Sequence, residues 1–262
     1  MDKHIPIVLS IAGSDPSAGA GMQADLRVTH TLGCYGMGVL TAITAQSTLG
    51  VSEVWPLSRR QVAGQAEVLL GDIVPDAVKV GMLGDDDAAR GVLDILERYS
   101  LRNVVVDTIM RSSSGTALFD MAQIPLLYEI MRHASVITPN LPEAEALLGE
   151  KCTDAETAVR RLAGKCGGVS VLLKGGHGEG GEVTDTLYNS GDDTVIRIRH
   201  PRINTPNTHG TGCVLSSALA CHLAQGRLLG EAAREASSFV HEALAAGRDL
   251  TLGHGHGPAF VG

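Results

Sequence analysis

The sequence predicts an α/β fold with a mostly parallel central sheet and helices packed on both of its faces. Three observations carry that prediction. Short runs rich in Val, Ile and Leu alternate with segments of helical periodicity along nearly the whole chain. Several of those runs are apolar throughout, which suits strands covered on both sides. Glycine-rich or charged turns follow the runs repeatedly, and in open α/β sheets ligands bind outside the carboxyl ends of the strands.

The elements follow in order. Ile5 to Ala12 is apolar enough for a first buried strand. It faintly resembles a signal peptide, but Pro6 breaks it and Ser14-Asp15-Pro16 ends it. Gly13 to Gly21 is a loop, Met22 to Leu32 a helix closed by Gly33, and Gly38 to Gln46 a second strand. Val51 to Leu57 reads as a short extended piece outside the main sheet, a candidate lid. Arg59 to Leu70 carries Val62, Ala66, Leu69 and Leu70 at helical spacing. Ala77 to Val80, Asn103 to Asp107, Ser135 to Thr138 and Val169 to Lys174 are further strands. The helices between them run over Asp85 to Arg98, Met121 to Arg132, a short turn from Glu143, and a segment ending at Lys165. Thr153 to Glu156 resembles a capping box for that last helix. Thr184 to Asn189 and Thr194 to Ile198 form a hairpin, and helices over Gly212 to Leu223 and Glu231 to Arg248 close the chain.

The 262 residues are 44% hydrophobic and 19% charged, ordinary for a globular protein. Aromatics make up only 3%, so the core must be Val, Leu, Ile and Ala. No linker, low-complexity tract or repeat divides the chain, which reads as one domain over 1–262. A net charge of −8 without a Lys/Arg cluster argues against a nucleic-acid partner. An anionic substrate would therefore need helix N-termini, a lysine and a metal. No apolar stretch approaches the roughly 18 residues that cross a bilayer. Cys34, Cys152, Cys166, Cys213 and Cys221 are odd in number with no C-x-x-C pair. They fit free thiols in a reducing, cytoplasmic setting.

The chain is organised around Asn207-Thr208-His209-Gly210-Thr211-Gly212-Cys213, which runs straight into an Ala/Leu-rich helix. The first turn of a helix presents unpaired N–H groups and the positive end of the macrodipole, a ready anion site. Cys213 sits where such a helix end would favour its thiolate. Lys174-Gly175-Gly176-His177 after a strand sets an ammonium beside a close-approach backbone, suited to phosphate, although an isolated lysine there could equally be a solvated turn residue. Asn140 and Glu143 at a helix start could hold a hydrated Mg²⁺ or simply cap the helix. Gly19 to Ala24 matches G-x-G-x-x-A, but Gly13 to Ala18 separate it from the strand, and the expected acid some 20 residues on is missing. A pocket wall is the better reading, with Asp25 facing a ligand. No P-loop occurs. His177 and His209 are turn residues near these sites, whereas His254 and His256 read as a mobile tail.

Seven stretches together resemble a known family. They are Ile11 to Asp25, Thr41 to Gln46, Lys79 to Leu83, Val106 to Met110, Ile137 to Glu143, Leu173 to His177 and His209 to Cys213. In this order they resemble bacterial hydroxymethylpyrimidine and phosphomethylpyrimidine kinases of thiamine biosynthesis, in the ribokinase-like superfamily. The resemblance implies a three-layer sandwich with a small peripheral strand lid, and often a homodimer. It implies phosphoryl transfer from Mg·ATP to 4-amino-5-hydroxymethyl-2-methylpyrimidine and then to its monophosphate. By resemblance Gly13, Ala20, Asp25, Gln46, Met82 and Ile109 line the pyrimidine site. Asn140, Glu143, Lys174 and Asp107 serve the nucleotide and Mg²⁺, the two carboxylates through water. Gly210, Thr211, Gly212 and Cys213 form the anion hole, with Cys213 at the general-base position, where many superfamily relatives have Asp. A pyridoxal or pyridoxine kinase, or a dual-specificity enzyme, is the alternative. A cysteine-nucleophile enzyme would leave the lysine and Asn/Glu turns unused, and a non-catalytic binding protein would be expected to have lost the anion hole or the lysine.

Overall fold

The computed structural model describes residues 4–111, 115–116, 118–176 and 180–262. Its centre is a nine-stranded sheet in the order β3-β2-β1-β4-β5-β6-β7-β8-β9. The strands are β1 Ile7–Ser14, β2 Tyr35–Ser47, β3 Gly50–Pro56, β4 Ala77–Val80, β5 Val104–Val106, β6 Val136–Ile137, β7 Ser170–Leu173, β8 Glu182–Asn189 and β9 Thr194–Pro201. The run β2-β1-β4-β5-β6-β7 is parallel, and β3, β8 and β9 are antiparallel to their neighbours. From β1 the chain winds outward to β2 and β3, then crosses back to place β4 on the other side of β1. That reversal opens a crevice beyond the carboxyl ends of β1 and β4.

The pleat sorts the apolar runs between two cores. Leu9, Ile11, Val78, Val80, Val104, Val106, Val171 and Leu173 pack against α2 Arg59–Leu70, α3 Asp86–Arg98, α4 Ile124–Met131, α5 Leu141–Leu148 and α6 Ala155–Lys165. Val8, Ala77, Val105, Val136 and Leu172 face α1 Gly21–Thr31, α7 Thr211–Ala224 and α8 Leu229–Gly247. Each strand residue alternates sides, so every strand of the parallel run is apolar on both faces. Lys79, between Val78 and Val80, must therefore point into the α1/α7 layer.

Several expectations change. The extended piece foreseen outside the sheet is the edge strand β3, paired with the outer half of β2. The capping box foreseen at Thr153 is absent. Asp154 is the N-cap instead, and its carboxylate accepts from Thr157 N at 2.7 Å. Full capping boxes occur at Ser58/Gln61 and Asn140/Glu143. The tail around His254 and His256 is pinned rather than loose. Gly255 N donates to Thr48 Oγ1 at 3.3 Å, Gly257 N donates to Asn207 Oδ1 at 3.0 Å, and the strand-like segment beyond pairs His209 with Pro258.

Candidate functional site

The turn before α7 forms the floor of a cavity of about 900 Å³ that crosses the carboxyl ends of the parallel strands. Gly210 has φ +79°, and a Cβ there would collide with the Gly19 carbonyl oxygen, so only glycine fits. The loop after β1 thus rests directly on the turn before α7. Thr211 N–H closes on Thr208 O at 3.3 Å, and Val214 N–H begins the helix ladder on Gly210 O at 2.9 Å. The N–H groups of Gly212 and Cys213 are left as the donors of the first turn, at the positive helix end.

Lys174 follows β7 and bridges to Asn140 at the start of α5. Gly175 lies so close to the Thr184 carbonyl that a side chain would not fit, which fixes where the lysine leaves the sheet. Its Nζ donates to Asp107 Oδ1 at 2.8 Å and lies 3.8 Å from Glu143 Oε2. Burial opposes the Lys174 charge, but Asp107 and Glu143 outweigh it and hold the ammonium above its ordinary range. Burial would likewise raise Asp107, yet Lys174, Lys79 and the Thr138 hydroxyl keep it below the usual carboxylate range. Glu143 goes the other way: burial, with help from Asp107, raises it despite Lys174.

Asn140 and Glu143 cap α5 reciprocally, through Glu143 N to Asn140 Oδ1 at 2.9 Å and Asn140 N to Glu143 Oε2 at 2.8 Å. Both also line the cavity, so the capping and ligand readings are compatible. Among the described residues nothing donates to Glu143 Oε1, and no group of three or more His, Cys, Asp or Glu could enclose a metal ion. Two carboxylates beside an open cavity suit a cation that keeps most of its waters and takes phosphate oxygens, as Mg²⁺ does.

At the other end the wall carries Gly13, Ala20, Gln46, Met82 and Ile109. A Cβ on Gly13 would stand 3.0 Å from Met82 Sδ, so glycine keeps the thioether close to the strand end. Gln46 Nε2 lies 3.2 Å from His209 Nε2, which is 2.9 Å from Asp15 Oδ2. Asp15 also accepts from Ser17 and from Ala20 N. Hydrogen bonds from His209 and Ser17 outweigh burial and hold its carboxyl below the usual range. This network ties the loop after β1 to the anion turn.

Two expectations fail. Asp25 does not face the cavity. It is 1% exposed and engaged from below by Lys79 Nζ at 2.7 and 2.9 Å, Ser10 Oγ at 2.5 Å and Ser217 Oγ at 2.8 Å. One helical turn from Gly21 places it on the inner side of α1, against β1 and β4. Cys213 does line the cavity, but its thiol is not lowered. Burial pushes it up to about 11, with Asp25 and Asp107 adding to the rise, against the Lys79 ammonium and the Gly21 N–H. Sequence position captures the helix end and misses the desolvation of a residue only 6% exposed.

His177 lies outside the described residues. Sequence reasoning passed over Lys79, whose one signal was a charge inside the four-residue strand Ala-Val-Lys-Val. It also passed over His200 and His241, whose rings stack 5.1 Å apart on the cavity wall between β9 and α8.

The arrangement joins an anion-binding helix end to a lysine and two carboxylates on one side and a small polar-apolar pocket on the other. Comparison with known proteins identifies the family. The phosphomethylpyrimidine kinase family model matches residues 15–260. The hydroxymethylpyrimidine/phosphomethylpyrimidine kinase of Salmonella typhimurium is 42% identical over 254 residues, covering 95% of both chains. That of Escherichia coli is 41% identical over 256 residues, again with 95% of each covered. Among solved structures, phosphomethylpyrimidine kinase from Clostridium difficile superposes with a TM-score of 0.79 at 35% identity, covering 91% of this chain and 99% of that one. Pyridoxal kinase from Staphylococcus aureus in complex with AMP-PCP and pyridoxal gives a TM-score of 0.84 at 32% identity, covering 97% and 93%. By the family model over most of its length and by relatives above 40% identical over 95% of both chains, this chain belongs to the phosphomethylpyrimidine kinase family.

Proposed function

We propose that this enzyme transfers the γ-phosphoryl group of ATP to the hydroxymethyl oxygen of 4-amino-5-hydroxymethyl-2-methylpyrimidine and then phosphorylates the monophosphate. One observation carries the reading. A single cavity holds Gly13, Gln46 and Met82 at one end and Asn140 and Lys174 at the other, with the first turn of α7 between them. A donor and an acceptor seated there meet over the Gly212 and Cys213 N–H groups.

Phosphoryl transfer is catalysed mainly by positioning and by neutralising charge on the transferring group. The α7 turn supplies oriented N–H donors, and Lys174 supplies a cation that Asp107 and Glu143 keep protonated against its burial. Glu143 and Asp107 would hold a hydrated Mg²⁺ that enters with ATP, and that ion would supply further neutralisation of phosphate charge. The Gln46 amide both donates and accepts, matching an amino group beside a ring nitrogen, the logic by which Gln reads adenine. Met82 and Ile109 cover the apolar parts of the ring.

Cys213 is the acceptor-side group for the hydroxyl proton. Burial pushes the thiol up to about 11, so the thiolate is a minor form at neutral pH. That minority form is a stronger base than an ordinary thiolate, and a loose transition state needs the proton removed only late. The acidic limb of kcat/KM should therefore extend above the range of a free thiol.

ATP consumption with the hydroxymethylpyrimidine, its monophosphate, pyridoxal and pyridoxine, measured side by side, tests the assignment. Turnover of both pyrimidines is expected, and turnover of the B6 vitamers alone would overturn it. The superposition on pyridoxal kinase structures gives the second reading its support: pyridoxal brings an aldehyde that Cys213 could trap as a hemithioacetal. The reading also carries a cytoplasmic homodimer. Sedimentation velocity tests the assembly, and a monomer at assay concentration would remove it.

A further inference from the structure

His209 and Thr44 hold the two ends of the Gln46 amide, which lie 3.2 Å from His209 Nε2 and 3.3 Å from Thr44 Oγ1. A half-turn of that amide exchanges its oxygen and nitrogen, so the partners decide which end is which. Asp15, 3% exposed, accepts from Ser17 N at 2.9 Å, Ser17 Oγ at 2.7 Å and Ala20 N at 2.9 Å. Its carboxylate has no proton to give, so His209 Nε2 at 2.9 Å carries one in either charge state of the ring. An unprotonated Nε2 would set its lone pair against the carboxylate. That N–H repels an NH₂ group, and the amide oxygen therefore points to His209. Thr44 requires the same orientation. Its single hydroxyl proton goes to Ser14 O at 2.8 Å, which leaves a lone pair for the amide NH₂. The His209 ring is fixed in place as well. A Cβ on Gly19 would collide with it, and the His209 backbone is bonded to Gly257 O and Ala259 N at 3.1 Å each.

We propose that Asp15, His209 and Thr44 are positioning residues that lock the Gln46 amide with its oxygen toward the α7 turn, making the site read the order of donor and acceptor along a ligand edge. This rests on the reading of Gln46 as the pyrimidine contact. His209 directly precedes Gly210 of that turn, whereas Thr44 lies back along β2. The matching ligand therefore puts a donor near the turn and an acceptor on the far side of it. A pyrimidine with an amino group beside its hydroxymethyl, and a ring nitrogen next to that amino group, has this order. Seated so, its hydroxymethyl points to the Gly212 and Cys213 N–H groups. With the amide reversed, the same contacts would need the ring turned over and the hydroxymethyl carried away from the turn.

The test compares two ligands by calorimetry on the full chain: 4-amino-5-hydroxymethyl-2-methylpyrimidine and its 4-oxo analogue, whose C=O and N3–H reverse the order. Wild type should bind the amino compound about thirtyfold more tightly. His209→Leu and Thr44→Val each free one end of the amide, which can then turn over for the oxo compound. Each should cut the preference several-fold, and the double variant should bring it within a few-fold of parity. His209→Gln returns an N–H donor near the same place and should restore the preference. A general loosening of the pocket would weaken both ligands alike and leave the ratio standing. Thr44→Val carries the comparison by itself if His209→Leu does not fold. An undiminished ratio in the variants, or no preference in wild type, would overturn the lock while leaving Gln46 in the pyrimidine site. Binding of neither pyrimidine by wild type would overturn the lock together with the reading beneath it.

Discussion

Replacing Lys174 with Met tests the donor end of the site most severely. The ammonium sits 2.8 Å from Asp107, which is itself fully enclosed, and the lysine side chain is 16% exposed. Breaking a buried pair by removing one partner costs about 3–5 kcal/mol. Asp107 would keep the Thr138 and Ser216 hydroxyls and the field of Lys79, and Lys174 reaches the cavity, so about 2–3 kcal/mol is expected. The sign with pH is fixed. Asp107 is depressed in the folded protein, so its contribution is full above its unfolded value of about 3.9 and fades as pH falls through the folded value. The stability gap between wild type and Lys174→Met should therefore be widest near neutrality and close in acid, as urea unfolding at several pH values would show. In turnover, losing a group that stabilises developing charge costs about 10²–10³ in kcat. Because the donor is common to both phosphorylations, the pyrimidine and its monophosphate should be slowed by the same factor. Loss of one step alone would place Lys174 on the acceptor side and refute the assignment.

Other perturbations separate the remaining roles. Gln46→Leu should weaken pyrimidine binding by about 1–3 kcal/mol with ATP affinity nearly unchanged, and calorimetry showing no loss would take Gln46 out of the site. Gly210→Ala forces a side chain into a left-handed conformation against the Gly19 carbonyl; both phosphorylations should collapse together, whereas normal kcat would mean the α7 turn is not the anion hole. Cys213→Ala should lower kcat by about 10²–10⁴ and leave ATP binding in place, because the N–H groups survive. Wild-type kcat/KM should keep rising above pH 8.5, the rough value of a free thiol, and the alanine variant should lose that rise. A wild-type plateau reached near neutrality would contradict the buried thiol described above.

Most of the framework was legible because it rests on local rules. Continuous Val/Ile/Leu runs announce two-sided burial, and Gly210 and Gly175 stand where backbones meet. Lys174 and Asn140 follow strands and Gln46 lies at the carboxyl end of one, so topology alone gathers them at one end of the sheet. What remained hidden depends on which way a side chain points and on how dry its surroundings are. Asp25 faces inward because the α1 phase puts it over Lys79, and the partner lies 54 residues away. Lys79 itself reads as an intruder in a strand until α1 and α7 close over it. The thiol of Cys213 illustrates the second limit: the helix end is visible in the sequence, but the desolvation that outweighs it exists only after packing. The pinned tail is a third case, since glycines that look flexible are there to let residues 253–257 lie against Thr48 and Asn207.

The central claim is that one cavity passes successive γ-phosphoryl groups from ATP to a hydroxymethylpyrimidine. The most direct measurement is a time course with 4-amino-5-hydroxymethyl-2-methylpyrimidine and ATP carrying ¹⁸O in its γ-phosphoryl group, with products resolved by mass spectrometry. The account predicts a labelled monophosphate that rises first and is then converted to a diphosphate labelled in both phosphoryl groups. Labelled inorganic phosphate with no pyrimidine phosphate, or phosphorylation of pyridoxal while the pyrimidine stays unmodified, would contradict it.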